Sequence, residues 1–185
     1  EYRPLSTLMV AEILEAAGVP AGVFNVVVGD GPTVGEAITG HPDIDMVSFT
    51  GSTRAGIQVA RSAAGTVKRV CQELGGKSAN IILPDADLAA AARWNITRGF
   101  SNSAQSCHSP SRILVQEAQH EALVQHLAHS ASEMRVGLPD DPATTLGPVV
   151  NRSQFERIQG YIRSGIDEGA RLVCGGPGRP AGLEH

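Results

Sequence analysis

Aromatic residues are scarce in this chain: four Phe, two Tyr and one Trp, together 4% of 185 positions. That leaves too few rings for a platform on which nucleobases stack. A basic excess is also missing. Fifteen Lys and Arg face nineteen Asp and Glu, for a net charge of −4 with the signs interspersed. There is no basic stripe to follow a phosphate backbone, so no nucleic-acid partner is expected. No run comes near the ~20 apolar residues that cross a bilayer, so no membrane partner is expected either. Cysteines are few, odd in number and far apart, at Cys71, Cys107 and Cys174. Free thiols in a reducing compartment fit this better than a disulfide framework, and a cytoplasmic location follows as the expectation. Glu1-Tyr2-Arg3-Pro4 lacks the apolar core of a signal peptide. Leu183-Glu184-His185 reads as vector-derived residues leading into a tag, so 183–185 are set aside.

What is present is enough apolar content, 42%, to build a core. The length accommodates one domain or parts of two. Pro4 to Ala17 carries a helical pattern through Leu5, Leu8, Met9, Ile13 and Leu14, with Ser6 or Thr7 as cap and Gly18 and Pro20 as the stop. Val23 to Val28 reads as a buried strand. A turn over Gly29 to Pro32 leads to a short helix from Thr33 to Thr39. A strand at Met46–Thr50, a helix at Arg54–Ala64 and a strand at Lys68–Leu74 follow. After the flexible pair Gly75-Gly76 come a strand at Ile81–Leu83 and a long helix that Asp85 and Asp87 open and that runs to Phe100. Asn102–Ser109 is small and polar, hence a loop. A strand at Ser111–Val115, a helix at Gln119–Arg135, a loop at Pro139–Pro148, a helix at Ser153–Glu168 and a strand at Arg171–Cys174 complete the order. Alternation of strands and helices predicts an α/β fold with mostly parallel sheets.

Three segments could carry chemistry. In Phe49-Thr50-Gly51-Ser52-Thr53-Arg54-Ala55-Gly56 a strand ends and small hydroxyl residues open a helix. Free N–H groups and the helix dipole at such an end attract phosphate, and the same residues also serve as a plain helix cap. In Glu73-Leu74-Gly75-Gly76-Lys77-Ser78 a carboxylate ends a strand before two glycines that allow close approach. Where burial makes it a better proton acceptor, such a glutamate works as a general base; otherwise it is a surface residue before a turn. In Asn102 to Pro110, Cys107 sits among small polar neighbours. That suits a nucleophile with backbone N–H groups at hand for an oxyanion, whereas a buried structural thiol would sit among apolar residues. His108 adjoins Cys107, but sequence neighbours point apart. Cys71 reads as packed in a strand, Cys174 carries no motif, and His120, His126 and His129 read as solvated helix residues without a zinc-like spacing. Asp43/Asp45 and Asp85/Asp87 read as turn and cap residues.

In this order, the segments resemble the aldehyde dehydrogenase superfamily. Phe49–Ser52 matches its Phe-Thr-Gly-Ser turn and Glu73–Ser78 its Glu-Leu-Gly-Gly-Lys-Ser motif. Asn102, Gln105, Cys107 and Arg112 match its cysteine motif, with Ala104 in place of the usual glycine. Gly22, Val23, Asn25, Val26, Gly29, Gly31-Pro32 and Leu146-Gly147-Pro148 extend the similarity over nearly the whole chain. The resemblance implies a partial Rossmann-like NAD(P)-binding domain over 1–74 and a partial catalytic domain over 75–182. It also implies covalent aldehyde oxidation, with Cys107 as nucleophile and Glu73 as the base that activates water. Ser52 would meet the cofactor pyrophosphate and Gly29 the adenosine, with Gly51 and Leu74 also among the cofactor-binding residues. Glu1 would bond the adenosine ribose and favour NAD, with NADP possible. The partners implied are a small aldehyde and, for the whole protein, further copies in a homodimer or homotetramer. Glu73 disfavours the CoA-acylating or acyl-phosphate-reducing relatives, and an intact Glu73–Cys107 pair disfavours a non-catalytic scaffold. The resemblance also implies family residues outside these 185 positions, so this segment alone is expected to be inactive.

Overall fold

The computed structural model describes residues 4–180 and 182–183, and the chain divides into two compact units, Glu1–Gly75 and Gly76–His185. In the first unit, α1 (Leu5–Ala16) ends where Gly18 takes φ +88 and its N–H reaches the Glu15 carbonyl. Ser6 and Thr7 lie inside α1 and no side chain caps its start; Pro4 occupies that position. Helix α1 buries none of its residues, and Leu5, Met9 and Ile13 are exposed.

The strand expected at Val23–Val28 is absent. The segment is irregular, with Val23, Val27 and Val28 exposed. A β-branched run becomes a strand only by pairing, and among the described residues no neighbour accepts it. Gly31–Gly35 forms one π-type turn that continues into α2 (Glu36–Gly40). Asp30 caps this turn by accepting from the Thr33 N–H at 2.7 Å.

Strand β1 (Met46–Gly51) and strand β2 (Arg69–Leu74) are parallel, joined by α3 (Thr53–Ala64). This is a βαβ unit, the connection that parallel strands require. Gly56, Val59 and Ala63 recur on one face of α3 and are buried, and Val47 is buried on β1. A Cβ added to Gly56 would stand 2.7 Å from Leu74 Cδ2, so a glycine is what lets α3 lie this close to β2. Cys71, expected to be packed, is exposed, because this pair of strands leaves most of β2 uncovered.

In the second unit, β3 (Ala79–Ile81) and β4 (Arg112–Leu114) are parallel, with α4 (Leu88–Phe100) and α5 (Glu117–Ser132) packed against each other. Strand β3 begins two residues earlier than its apolar run suggests, and the Ile82 N–H still bonds the Leu114 carbonyl at 2.8 Å. Ile82, Ala92 and Leu123 form the buried core, flanked by Ile113, Val115 and Leu127. Buried Asn95 is satisfied twice, accepting from Asn80 and donating to the Ala91 carbonyl. Helix α6 (Arg152–Asp167) follows, capped by Asn151. The strand expected at Arg171–Cys174 does not form, since no partner strand meets it among the described residues. The tail is tied instead to α6: buried Gln159 both accepts from and donates to the Gly178 backbone.

Candidate active site

The two strands of the first unit end side by side. Thr50 lies opposite Glu73, and Gly51 lies opposite Leu74. In open α/β sheets this carboxyl edge is where ligands bind. Gly51, Ser52, Glu73 and Leu74 therefore come together at one edge. Ser52 opens α3, and its hydroxyl accepts from the Ala55 N–H at 3.2 Å. That satisfies one of the free donors of the helix start and leaves the cap reading and the phosphate reading on the same residue. A Cβ on Gly51 would stand 2.5 Å from the Phe49 ring, which folds over it. Leu74 is half-buried against Gly56. Glu73 is exposed, so the burial anticipated for it is not supplied by the described residues.

Beside this edge is a cavity of about 490 Å³, lined by Gly31, Pro32, Glu36, Phe49, Arg54 and Gln58 among others. Gly29 lies just before it in the turn, where a Cβ would meet Val34 Cγ2 at 2.1 Å. Glu36 and Gln58 were not singled out from the sequence, and Arg54 entered only as part of the Phe49–Gly56 segment. Their signal is positional: α2 and the first turns of α3 both face the gap that the Gly31-Pro32 turn leaves open. Glu1, expected at the adenosine ribose, lies outside the described residues.

In the second unit, Cys107 and His108 are the two central residues of a turn closed by the Ser109 N–H on the Ser106 carbonyl at 3.1 Å. The Cys107 thiol is exposed, and no hydrogen bond links it to His108 among the described residues. No carbonyl of the described residues accepts from the Cys107 N–H. On the other side of the turn the backbone is held closely. A Cβ on Gly76 would be 3.7 Å from the Cys107 carbonyl oxygen, and the Arg112 side chain donates to the Lys77 carbonyl at 3.0 Å. Arg112 thus ties the cysteine segment to Gly76-Lys77.

Between α4 and this turn, the expected loop is a tight left-handed turn. Asn102, Ser103 and Ala104 have φ of 52°, 55° and 59°. The Gln105 side-chain amide donates back to the Asn102 carbonyl at 3.0 Å, and the Ser103 hydroxyl donates to the Gly147 carbonyl at 3.4 Å. His120, His126 and His129 are exposed on α5, and no cluster of metal-ligating side chains occurs among the described residues. Asp87 caps α4 by accepting from the Ala89 and Ala90 N–H groups.

Comparison with known proteins fixes the lineage. The family model described as the aldehyde dehydrogenase family matches residues 1–185. The chain belongs to the aldehyde dehydrogenase family. It is 52% identical over 185 residues to 3-succinoylsemialdehyde-pyridine dehydrogenase of a Pseudomonas species, covering all of this chain and 39% of that protein. Among solved aldehyde dehydrogenases, a mutant of aldehyde dehydrogenase C from Pseudomonas syringae, in complex with NAD+ and octanal, superposes with a TM-score of 0.96. It shares 52% identity over 98% of this chain and 37% of that one. The Mycobacterium tuberculosis aldehyde dehydrogenase bound to NAD+ gives a TM-score of 0.93 at 46% identity, over 98% of this chain and 37% of that one. The aldehyde dehydrogenase segment described here thus spans well under half the length of the relatives it matches. Its relatives have been seen with NAD+ or NADP.

Proposed function

We propose that the whole protein oxidises an aldehyde to the carboxylic acid with NAD(P)+, with Cys107 as nucleophile and Glu73 as general base. The observation that carries this reading is Cys107 itself: an exposed thiol at the tip of a turn, with its own backbone N–H unpaired among the described residues. The thiolate adds to the aldehyde carbon, forming the C–S bond and leaving negative charge on the aldehyde oxygen. The Cys107 N–H is free to donate to that oxygen. NAD(P)+ held at Gly51, Ser52 and Leu74 would provide a hydride acceptor, and loss of hydride from this carbon leaves a thioester on Cys107. Glu73 takes a proton from water, the water oxygen adds to the thioester carbon, and the Cys107 thiolate leaves.

The cavity beside the Gly31-Pro32 turn is of a size and polarity that suit the adenosine half of the cofactor, with Gly29 at its edge. The N-terminus of α3, with Gly51, Ser52 and the neighbouring Leu74, suits the pyrophosphate region. NAD is the cofactor proposed, and NADP fits the same scaffold. Ser106 and His108 flank the nucleophile in sequence, which speaks against a purely aliphatic aldehyde and identifies no particular one. A homodimer or homotetramer in the cytoplasm completes the proposal, in keeping with three free thiols.

The test uses the full-length protein. Cys107→Ala abolishes NADH formation, and the wild type yields free acid whether or not CoA is present. An acyl-CoA product, or turnover by Cys107→Ala, contradicts the proposal.

A further inference from the structure

We infer that the left-handed turn over Asn102, Ser103 and Ala104, clamped by the Ser103 hydroxyl on the Gly147 carbonyl, sets how Cys107 is presented. Ser103 and Ala104 are positioning residues for it. This rests on the reading of Cys107 as the nucleophile.

Three consecutive non-glycine residues hold φ near +55° here: 52°, 55° and 59°. L-residues visit this region singly and rarely, since Cβ crowds the following carbonyl. Asn tolerates it best. Ala104 has no polar side chain to offset the crowding. Such a backbone persists only where its surroundings over-determine it. Two devices do so. The Gln105 backbone and side-chain N–H groups both reach the Asn102 carbonyl, at 3.1 and 3.0 Å. The Ser103 hydroxyl reaches Gly147, 44 positions away, in a loop fixed by the Val136–Leu146 bridge. Ser103 is half-buried while its neighbours on either side are exposed, and its hydroxyl ties the turn to a distant loop.

Only Gln105 and Ser106 separate the left-handed turn from Cys107. On the far side the Cys107 carbonyl rests near Gly76, and Arg112 is tied to Lys77. The nucleophile is thus held between two anchors, and release of either re-aims the thiol. Ala104 makes the clamp necessary. With alanine the right-handed conformation is locally preferred, so the turn relaxes once Ser103 lets go. A glycine accepts the left-handed conformation without penalty and keeps the turn unclamped.

The experiment measures iodoacetamide alkylation rates of the Cys107, Cys71 and Cys174 peptides by mass spectrometry in the full-length protein. Ser103→Ala shifts the Cys107 rate about fivefold or more, the population change that follows from releasing an αL alanine, and leaves the other two thiols unchanged. Ala104→Gly combined with Ser103→Ala brings the Cys107 rate back to the wild-type value. A Cys107 rate unmoved by Ser103→Ala overturns the inference. So does a lack of rescue, or a common shift of all three thiols, which marks general loosening. A thioester missing from Cys107 during turnover refutes its nucleophilic role instead, and the alkylation pattern separates that failure from this one.

Discussion

At the scale of single residues, the site rests on close approaches that side chains would obstruct. Gly56→Ala drives a methyl to within 2.7 Å of Leu74 Cδ2. Overpacking of this kind costs about 1–3 kcal/mol, more than the helix propensity gained, and urea melts read it directly. In the other unit, Leu123→Ala removes a core side chain and costs about 2–5 kcal/mol in the same assay. Glu73 and Cys107 stood out as candidates by their surroundings, a strand end before two glycines and a small polar loop, but each also had a structural reading there, and the order of the motifs decided between the two. What was not legible is how they are held. Nothing in Asn-Ser-Ala announces three left-handed residues, since the usual marker, glycine, is missing at Ala104. Nor does sequence spacing reveal that Ser103 reaches Gly147.

At the scale of elements, two helix starts were readable from their caps, while the cap expected for α1 at Ser6 or Thr7 lies inside that helix. Asp87 ahead of an alanine-rich run, and Ser52 after a glycine turn, both accept from the N–H groups expected of them. Ser52→Ala removes one cap and costs about 1 kcal/mol of stability. If Ser52 also meets the cofactor, the variant raises the KM for NAD+ in the full-length enzyme as well, and a KM left unchanged restricts Ser52 to capping. Hydrogen bonds from the Thr33 hydroxyl and N–H hold Asp30 below the usual aspartate range, and the Ala90 N–H, then that of Ala89, do the same for Asp87. A carboxylate whose pKa is depressed on folding stabilises the protein above its unfolded value, about 3.9, and loses that contribution as pH falls through the lower folded pKa. Thermal melts at about pH 5 and about pH 2 therefore show a smaller acid loss for the Asp30→Asn, Asp87→Asn double variant than for the parent. An equal loss contradicts the assignment. The missed strands share one cause. Val23–Val28 and Arg171–Cys174 have the composition of strands, but a strand is made by its neighbour, and no described residue pairs with either. Composition reports what a segment could pair with; it does not report whether the partner is there.

At the scale of the whole molecule, the segment leaves much apolar surface uncovered, including Leu5, Met9 and Ile13 on α1 and Val23, Val27 and Val28. Exposed apolar surface binds hydrophobic dyes, so the 185-residue chain alone gives strong ANS fluorescence, and the full-length protein gives little. The α/β architecture was legible in the alternation of strands and helices, and the family in the order of three motifs. The segment covers 39% of a relative to which it is 52% identical, and the family residues implied outside it are why it is expected to be inactive alone. Aldehyde-dependent NADH formation by the isolated segment contradicts that expectation. The central claim is the division of labour between Cys107 and Glu73, and a single experiment addresses it. Full-length Glu73→Gln is mixed with NAD+ and aldehyde, and the Cys107 peptide is weighed while NADH is followed. The account predicts one burst equivalent of NADH, an acyl mass on Cys107, and steady turnover slowed by about 10²–10⁴-fold. Undiminished turnover, or a burst with no acyl group on Cys107, contradicts it.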